Sequence, residues 1–228
     1  MRQSPSLPGP RRLVRSSALS SHVSPVHTDS FGQQTDNAAK YTQRSGVERR
    51  LLSRFRARML AELQPLRPAT ILDAGCGEGY VTEWLARALD AREITAVDGR
   101  AEALRTLGER NPKIRVLEGD LRVLPFADDS FELVVCTEVL EHVPEPLPVL
   151  RELSRVSAAH LFVTVPHEPF FRLGNLAAGR YVSRLGSTPG HAWTWSARGF
   201  RRLIAAEAEP VRWVSLFPWQ GVLARTRG

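Results

Sequence analysis

The chain has 228 residues, of which 43% are hydrophobic and 24% are charged, a composition typical of a globular domain with a buried core. No segment approaches the roughly 20 consecutive apolar residues of a membrane-spanning helix, so we expect no integral membrane association. The formal net charge is +7, but residues 1–28 hold four arginines and no acid, which leaves +3 for the rest of the chain. This near balance argues against a nucleic-acid groove.

The first 30 or so residues are rich in Ser, Pro and Arg and lack apolar periodicity, which predicts a disordered tail and lead-in over residues 1–44. The tail also has the acid-free, Arg-rich composition of a transit peptide, but an extended start of a bacterial chain explains it better. Cys76 and Cys136 lie in apolar stretches and are expected to be buried and free, as in a reducing compartment. We therefore expect a cytoplasmic protein.

From residue 46 onward, helical and strand patterns alternate. An amphipathic helix is predicted first, because apolar residues recur at four-residue spacing: Val47, Leu51, Phe55, Met59 and Leu63. Further helices are predicted at 78–89, 101–109, 147–156 and 197–208. Strands are predicted at 70–73, 93–97, 114–117, 131–136 and 160–165, with a terminal hairpin at 211–217 and 221–226. Alternating strands and helices predict an α/β domain over residues 45–228, built on a parallel sheet covered on both faces. Residues 166–195 show no clear period and are predicted to form an insertion or lid within it.

The loop after the first predicted strand carries the strongest functional signal. It begins at Asp73 and places glycines at 75, 77 and 79, where the backbone can adopt positive φ and a ligand can approach closely. An ordinary tight strand-to-helix turn is the alternative. The spacing differs from the G-x-G-x-x-G of dinucleotide sites, and Glu78 would repel a pyrophosphate. A carboxylate there suits a cofactor that carries an amine and a sulfonium.

Two further acids follow the next two predicted strands. Asp98 ends the second strand, 25 residues after Asp73, where its carboxylate can accept both hydroxyls of a ribose. Its alternative role is to cap the helix that begins near residue 101. Asp120 follows the third strand and can accept from an adenine amino group while Leu121 packs on the ring. The fourth strand runs into Thr137, whose backbone would border the rest of the cofactor.

With these residues the chain resembles the class I S-adenosylmethionine-dependent methyltransferases over about residues 45–225. The stretch from Leu124 to Val143 is typical of the family's small-molecule branch. The resemblance implies a doubly wound, Rossmann-like sheet of seven strands, mostly parallel, with an antiparallel last strand and helices on both faces. It implies that S-adenosylmethionine is bound by Asp73, Ala74, Gly75, Cys76, Gly77, Gly79, Tyr80, Asp98, Gly99, Asp120, Leu121 and Thr137.

A narrower resemblance concerns the segment Glu138-x-x-Glu141-His142 and the later His191. These residues are similar to a pattern of the ubiquinone-biosynthesis O-methyltransferases and of small-RNA 2′-O-methyltransferases. The resemblance implies that the four side chains hold a divalent metal, Mg²⁺, Mn²⁺ or Zn²⁺, with the first three on one helical face. The alternative is a metal-free structural or substrate-contact role. The insertion at 166–175 is not expected of the ubiquinone enzymes.

The sequence thus predicts a methyltransferase for a small-molecule acceptor, attacked by preference at oxygen, with His142 or His191 as the general base and His167 as a weaker candidate. Five aromatic side chains are expected either to line an apolar acceptor pocket or to pack in the core: Phe170, Phe171, Trp193, Trp195 and Trp219. The alternatives are a C- or N-methyltransferase of secondary metabolism or lipid modification, and a binding module that keeps the fold without catalysis. The sequence determines neither the acceptor nor the oligomeric state.

Overall fold

The computed structural model describes residues 46–177, 179 and 191–227, without the side chain of Phe171. The predicted N-terminal tail and the middle of the predicted insertion lie outside these residues. The helices are α1 (Gly46–Leu63), α2 (Tyr80–Ala88), α3 (Ala101–Arg110), α4 (Pro146–Val156), α5 (Phe170–Ala177) and α6 (Ala197–Glu207). The strands are β1 (Thr70–Ala74), β2 (Glu93–Asp98), β3 (Arg115–Glu118), β4 (Phe131–Thr137), β5 (Ser157–Pro166), β6 (Ala208–Leu216) and β7 (Trp219–Thr226).

The seven strands form one sheet in the order β3-β2-β1-β4-β5-β7-β6. The strands from β1 to β5 pair in parallel, and β7 runs antiparallel to both of its neighbours. This confirms the predicted doubly wound α/β fold with an antiparallel last strand. The chain builds outward from β1 to β3 and then returns to place β4 on the other side of β1. A crevice therefore opens beyond the carboxyl ends of β1 and β4, where ligands bind in such sheets.

Each face of the sheet is covered by helices, because successive strand residues point to opposite sides. On one face, Ile71 and Leu133 pack with buried residues of α1, α2 and α3. On the other, Leu72 and Val134 pack with buried residues of α4 and α6. Cys76 and Cys136 are both buried and free, which confirms the prediction from the sequence. No helix among the described residues is long and apolar enough to cross a membrane.

Several local features differ from the sequence prediction. Strand β5 begins at Ser157, three residues earlier than predicted, because Ser157 pairs with Phe131 of β4, whereas pairing with β7 starts at His160. Strand β6 begins at Ala208 instead of residue 211 and pairs with β7 from that residue onward. Part of the predicted aperiodic insertion forms the helix α5. Residues 138–142, predicted to share a helical face, instead form a turn in which the N–H of His142 donates to the carbonyl of Val139 at 2.9 Å.

The contribution of the sheet core to the free energy of unfolding can be measured at Phe162. Its ring is fully buried in the middle of β5, where it pairs with Val135 on one side and Leu223 on the other. We expect Phe162→Ala to lower the free energy of unfolding by about 3–5 kcal/mol, since it leaves a cavity in a packed interior. The matched control is Phe217→Ala, because that ring is 56% exposed, and we expect a loss below about 1 kcal/mol. Urea denaturation measures both, and equal losses would contradict this assignment of the core.

Candidate functional site

The glycine loop lies at the crevice and has a backbone that requires glycine. Gly75, Gly77 and Gly79 all have positive φ, between 54° and 80°. A Cβ on Gly75 would come within 2.4 Å of the Val139 side chain, and one on Gly79 within 2.3 Å of the Leu107 side chain. The loop therefore presents bare backbone to the crevice while the neighbouring elements pack directly against it.

Asp73 lies at the base of this loop, near the end of β1, and is 1% exposed. The hydroxyl of Thr82 donates to its Oδ2 at 2.6 Å, and its Oδ1 has no hydrogen-bond partner among the described residues. Burial raises the pKa of Asp73 to about 7; the Thr82 hydrogen bond opposes this rise, and the charge of Asp98 adds to it. A buried acceptor atom beside the loop is suited to a ligand that brings a hydrogen-bond donor or a positive charge.

Asp98, at the end of β2, joins the loop to the neighbouring strand. Its Oδ2 accepts from the backbone N–H of Gly77 at 2.7 Å. Its Oδ1 accepts from the backbone N–H of Arg100 at 3.0 Å and from Nε of the same residue at 3.2 Å. Nη1 of Arg100 also donates to Glu78 Oε1 at 3.3 Å. Glu78 is therefore ion-paired and not an isolated negative charge. The sequence pattern did not indicate that Arg100 would be its partner.

The third predicted acid, Asp120, lies beyond the end of β3. It is ion-paired with Arg122 at 2.6 Å, and the hydrogen bonds from that guanidinium lower the pKa of the Asp120 carboxyl. The N–H of Gly119 donates to the backbone carbonyl of Asp98 at 3.1 Å and ties the two strand ends together. Leu121 is buried in the sheet core. Asp73, Asp98 and Asp120 thus lie at or just beyond the carboxyl ends of the parallel strands β1, β2 and β3, at one edge of the sheet.

Glu138 follows β4 and does not join the other predicted metal ligands. Its backbone has a φ of 58°, rare for a residue other than glycine. Its Oε2 accepts from the indole N–H of Trp219 at 2.6 Å. The edge of the Phe55 ring contacts Trp219 in turn, at 5.1 Å between ring centroids. The structure therefore places Glu138 in a contact with β7, which corrects the predicted set of four ligands.

The three other predicted ligands, Glu141, His142 and His191, do come together. One ligand atom from each lies within 4.8 Å of the others, and the two imidazole centroids are 4.8 Å apart. Backbone contacts bring the distant histidine here, because the N–H groups of Ala192 and Trp193 donate to the carbonyl of Glu141 at 2.7 and 3.1 Å. Two imidazoles and a buried carboxylate suit Mn²⁺ or Zn²⁺, and an imidazole can also accept a proton near neutral pH.

The predicted aromatic residues divide into two groups. Trp195 and Trp219 are buried and belong to the two core clusters, which favours packing over a pocket wall for these side chains. Phe170 and Trp193 are 45% and 43% exposed. The ring of Phe170 contacts His167 and Phe217, with centroid distances of 5.1 and 5.7 Å. An exposed apolar rim therefore lies beyond the end of β5.

Comparison with known proteins agrees with this geometry. Residues 72–160 match a family model described as a methyltransferase domain. The chain is 34% identical over 145 residues to a malonyl-[acyl-carrier protein] O-methyltransferase of Halorhodospira halophila, covering 60% of this chain and 48% of that protein. It is 31% identical over 129 residues to a ubiquinone biosynthesis O-methyltransferase of Xanthomonas oryzae, covering 53% of each chain. The chain thus spans about half the length of these relatives.

The fold also matches solved structures. A magnesium protoporphyrin IX methyltransferase from Synechocystis, crystallised with bound S-adenosylhomocysteine (SAH), aligns with a TM-score of 0.63 at 17% identity, over 84% of this chain and 92% of that one. A methyltransferase from Aquifex aeolicus aligns with a TM-score of 0.60 at 18% identity, over 77% and 93%. At this level of identity, the likeness is one of fold.

The raised pKa of Asp73 predicts a pH-dependent stability. In the unfolded chain the carboxyl ionises near 3.8, whereas in the folded protein it keeps its proton up to about pH 7. Because the unfolded state loses this proton first, the free energy of unfolding should fall as the pH rises from 4 to 7, by up to about 1.4 kcal/mol per pH unit, and level off above. Urea denaturation of wild type and Asp73→Asn across this range isolates the effect, since the variant lacks the group. Parallel pH profiles would contradict the prediction.

Proposed function

Because the chain belongs to the class I S-adenosylmethionine-dependent methyltransferase family, we propose that it transfers the methyl group of this cofactor to a small-molecule acceptor, at an oxygen atom. One observation carries the proposal: three acidic residues lie at or just beyond the carboxyl ends of β1, β2 and β3, beside a loop whose three glycines all have positive φ. This combination provides a close backbone approach together with acceptors for the amine, the ribose and the adenine.

When bound, S-adenosylmethionine would be held by the residues at this edge of the sheet. Asp73 would offer a buried acceptor to the methionine end, and the loop from Ala74 to Tyr80 would lie along the cofactor. Asp98 would accept the ribose hydroxyls, next to Gly99. Asp120 and Leu121 would contact the adenine, and the end of β4 at Thr137 would border the methionine. The fit is supported by the buried Oδ1 of Asp73, which has no hydrogen-bond partner among the described residues and lies beside the loop.

In the reaction, the chain's own residues mainly hold the reactants in line. When bound, S-adenosylmethionine supplies a methyl group on a sulfonium with a good leaving group, so proximity and orientation are the main needs. An oxygen acceptor must also lose a proton. The imidazoles of His142 and His191 stand beyond the end of β4, and either can take that proton as a general base.

The exposed aromatic rim supports an apolar acceptor. Phe170 and Phe217, which contact each other, are 45% and 56% exposed, and large apolar side chains grouped at a site commonly contact ligands. The two relatives compared above are both O-methyltransferases, which supports oxygen as the attacked atom. A C- or N-methyltransferase, and a binding module without catalysis, are the outcomes that an assay must separate from this proposal.

Cofactor binding through Asp98 is directly testable. We expect Asp98→Asn to weaken S-adenosylmethionine binding at least tenfold, since an amide cannot accept from Gly77, Arg100 and a ribose together. Isothermal titration calorimetry measures the dissociation constant. The control is Asp90→Asn, an exposed carboxylate after α2. A wild-type protein that does not bind the cofactor, or an unaffected Asp98→Asn variant, would refute the proposal.

As the alternative to a general-base role for the two imidazoles, we further propose that Glu141, His142 and His191 hold a divalent cation next to the acceptor. The proximity of their ligand atoms, within 4.8 Å, is the observation that favours this role. A cation there would lower the pKa of an acceptor hydroxyl and orient it. Glu138 lies outside this set, because only the ligand atoms of the other three residues come together, and its Oε2 accepts from Trp219.

The metal proposal predicts that a chelator lowers the methylation rate and that Mn²⁺ or Zn²⁺ restores it. His191→Ala should reduce Mn²⁺ affinity at least tenfold, as measured by calorimetry, because it removes one of three ligands. His160→Ala is the matched control, since that imidazole lies toward the amino end of β5, away from the crevice. A rate that responds to neither the chelator nor the loss of His191 would rule out the cation and leave the histidines as bases alone.

A further inference from the structure

Helix α3 carries an arginine at each end, and both contact the glycine loop. Arg100 immediately precedes the helix and bridges the carboxylates of Asp98 and Glu78, at 3.2 and 3.3 Å. Arg110 is the last residue of the helix. Its Nη2 donates to the backbone carbonyl of Glu78, and its Nε donates to Glu83 of α2 at 2.9 Å.

These contacts order the glycine-rich loop around Glu78, where the backbone has the most conformational freedom. Three glycines in seven residues lose much conformational entropy when the loop is ordered, so an ordered loop needs bonds from outside. The backbone N–H of Gly77, the carboxylate of Glu78 and the carbonyl of Glu78 are all bonded to β2 or to the ends of α3. The side chain of Glu78 is only 18% exposed and that of Glu83 15%, so solvent screens these pairs less than it screens surface ion pairs.

A second contact reinforces the end at Arg110. The amide of Asn111 donates to the same carboxylate oxygen of Glu83 at 2.9 Å, and the Arg110 guanidinium stands over the Tyr80 ring, 5.5 Å from its centroid. The arginine is thereby fixed between the start of α2 and the loop. Arg105, in the middle of α3, pairs instead with Glu102 and Glu109 of its own helix and does not touch the loop.

We propose that Arg100 and Arg110 are positioning residues that hold the glycine loop in its cofactor-binding shape, and that Arg100 also sets the charge of the ribose end. This inference rests on the proposed function. One guanidinium shared by Asp98 and Glu78 cancels one of two negative charges beside the cofactor site. It therefore reduces the preference for the cationic S-adenosylmethionine over its neutral product, which lacks the sulfonium charge.

The experiment compares Arg100→Gln, Arg110→Gln and the control Arg105→Gln in the full chain. Hydrogen exchange at residues 75–80 of the ligand-free protein measures loop order, and calorimetry measures the dissociation constants of S-adenosylmethionine and SAH. We expect faster loop exchange and about tenfold weaker S-adenosylmethionine binding in the first two variants, with SAH binding weakened at least as much, since each loses hydrogen bonds to charged groups. The control should stay within about twofold of wild type.

The ratio of the two dissociation constants isolates the role of charge. In Arg100→Gln, SAH binding should weaken about threefold more than cofactor binding, because the uncancelled carboxylates still attract the sulfonium. Arg110→Gln should leave this ratio unchanged. Arg100→Lys keeps the charge but not the bridging geometry, so it should restore the ratio while its loop exchange stays faster than in wild type.

Other outcomes overturn the inference. A lower melting temperature with unchanged loop exchange and unchanged dissociation constants would make both arginines merely structural. An unchanged ratio in Arg100→Gln would remove the charge role. If the wild type binds neither ligand, the proposed function fails, and the exchange measurement still decides whether the arginines order the loop.

Discussion

The hydrogen bond from the Gly77 N–H to the Asp98 carboxylate joins the loop after β1 to the end of β2. The neighbouring parts of the site depend on this contact. It fixes the glycine loop against the strand that carries the next acid, and it directs the Asp98 carboxylate toward the crevice edge. Because β1 and β2 are parallel and in register, with Asp73 paired to Ala96, their carboxyl ends reach the same edge. The short turn that the glycines permit is therefore enough to bring the Gly77 N–H to the Asp98 carboxylate.

Charge at this edge is more balanced than the acids alone suggest. Asp98 and Glu78 share Arg100, and Asp120 is paired with Arg122. Asp73 is the exception, since burial raises its pKa to about 7 and no cation is bonded to it among the described residues. One cation thus offsets one of the two negative charges of Asp98 and Glu78, and Asp120 is paired one-to-one, which reduces the repulsion of clustered carboxylates at this edge. The buried Asp73 remains the acceptor most responsive to a cationic ligand.

The opposite side of the crevice is organised by backbone contacts over long separations. The carbonyl of Glu141 accepts two N–H groups from residues 192 and 193, which brings His191 against His142. The indole N–H of Trp193 donates to the Pro144 carbonyl and fixes the same segment a second time. This side of the crevice is thus built by a segment that returns to the turn after β4, while the other side is built by consecutive strand ends.

Sequence alone determined the α/β alternation, the glycine loop and the acids that end consecutive strands. These features follow from local patterns, because strand periodicity and loop glycines are properties of neighbouring residues. The family resemblance added the strand number and the antiparallel last strand, and the structure has both. The helix α5 was not predicted, because its short apolar pattern is interrupted by Arg172, Gly174 and Asn175.

Only the tertiary structure decided which side chains meet. Glu138 bonds Trp219, 81 residues away, and so leaves the set of ligands that the sequence motif implied. Arg100 reaches Glu78 across 22 residues and changes the charge that the loop sequence suggested. His191 joins His142 through backbone bonds that no spacing rule predicts. The physical reason is common to all three: a local pattern fixes where a strand ends, whereas a partner distant in sequence is selected by the packing of whole elements.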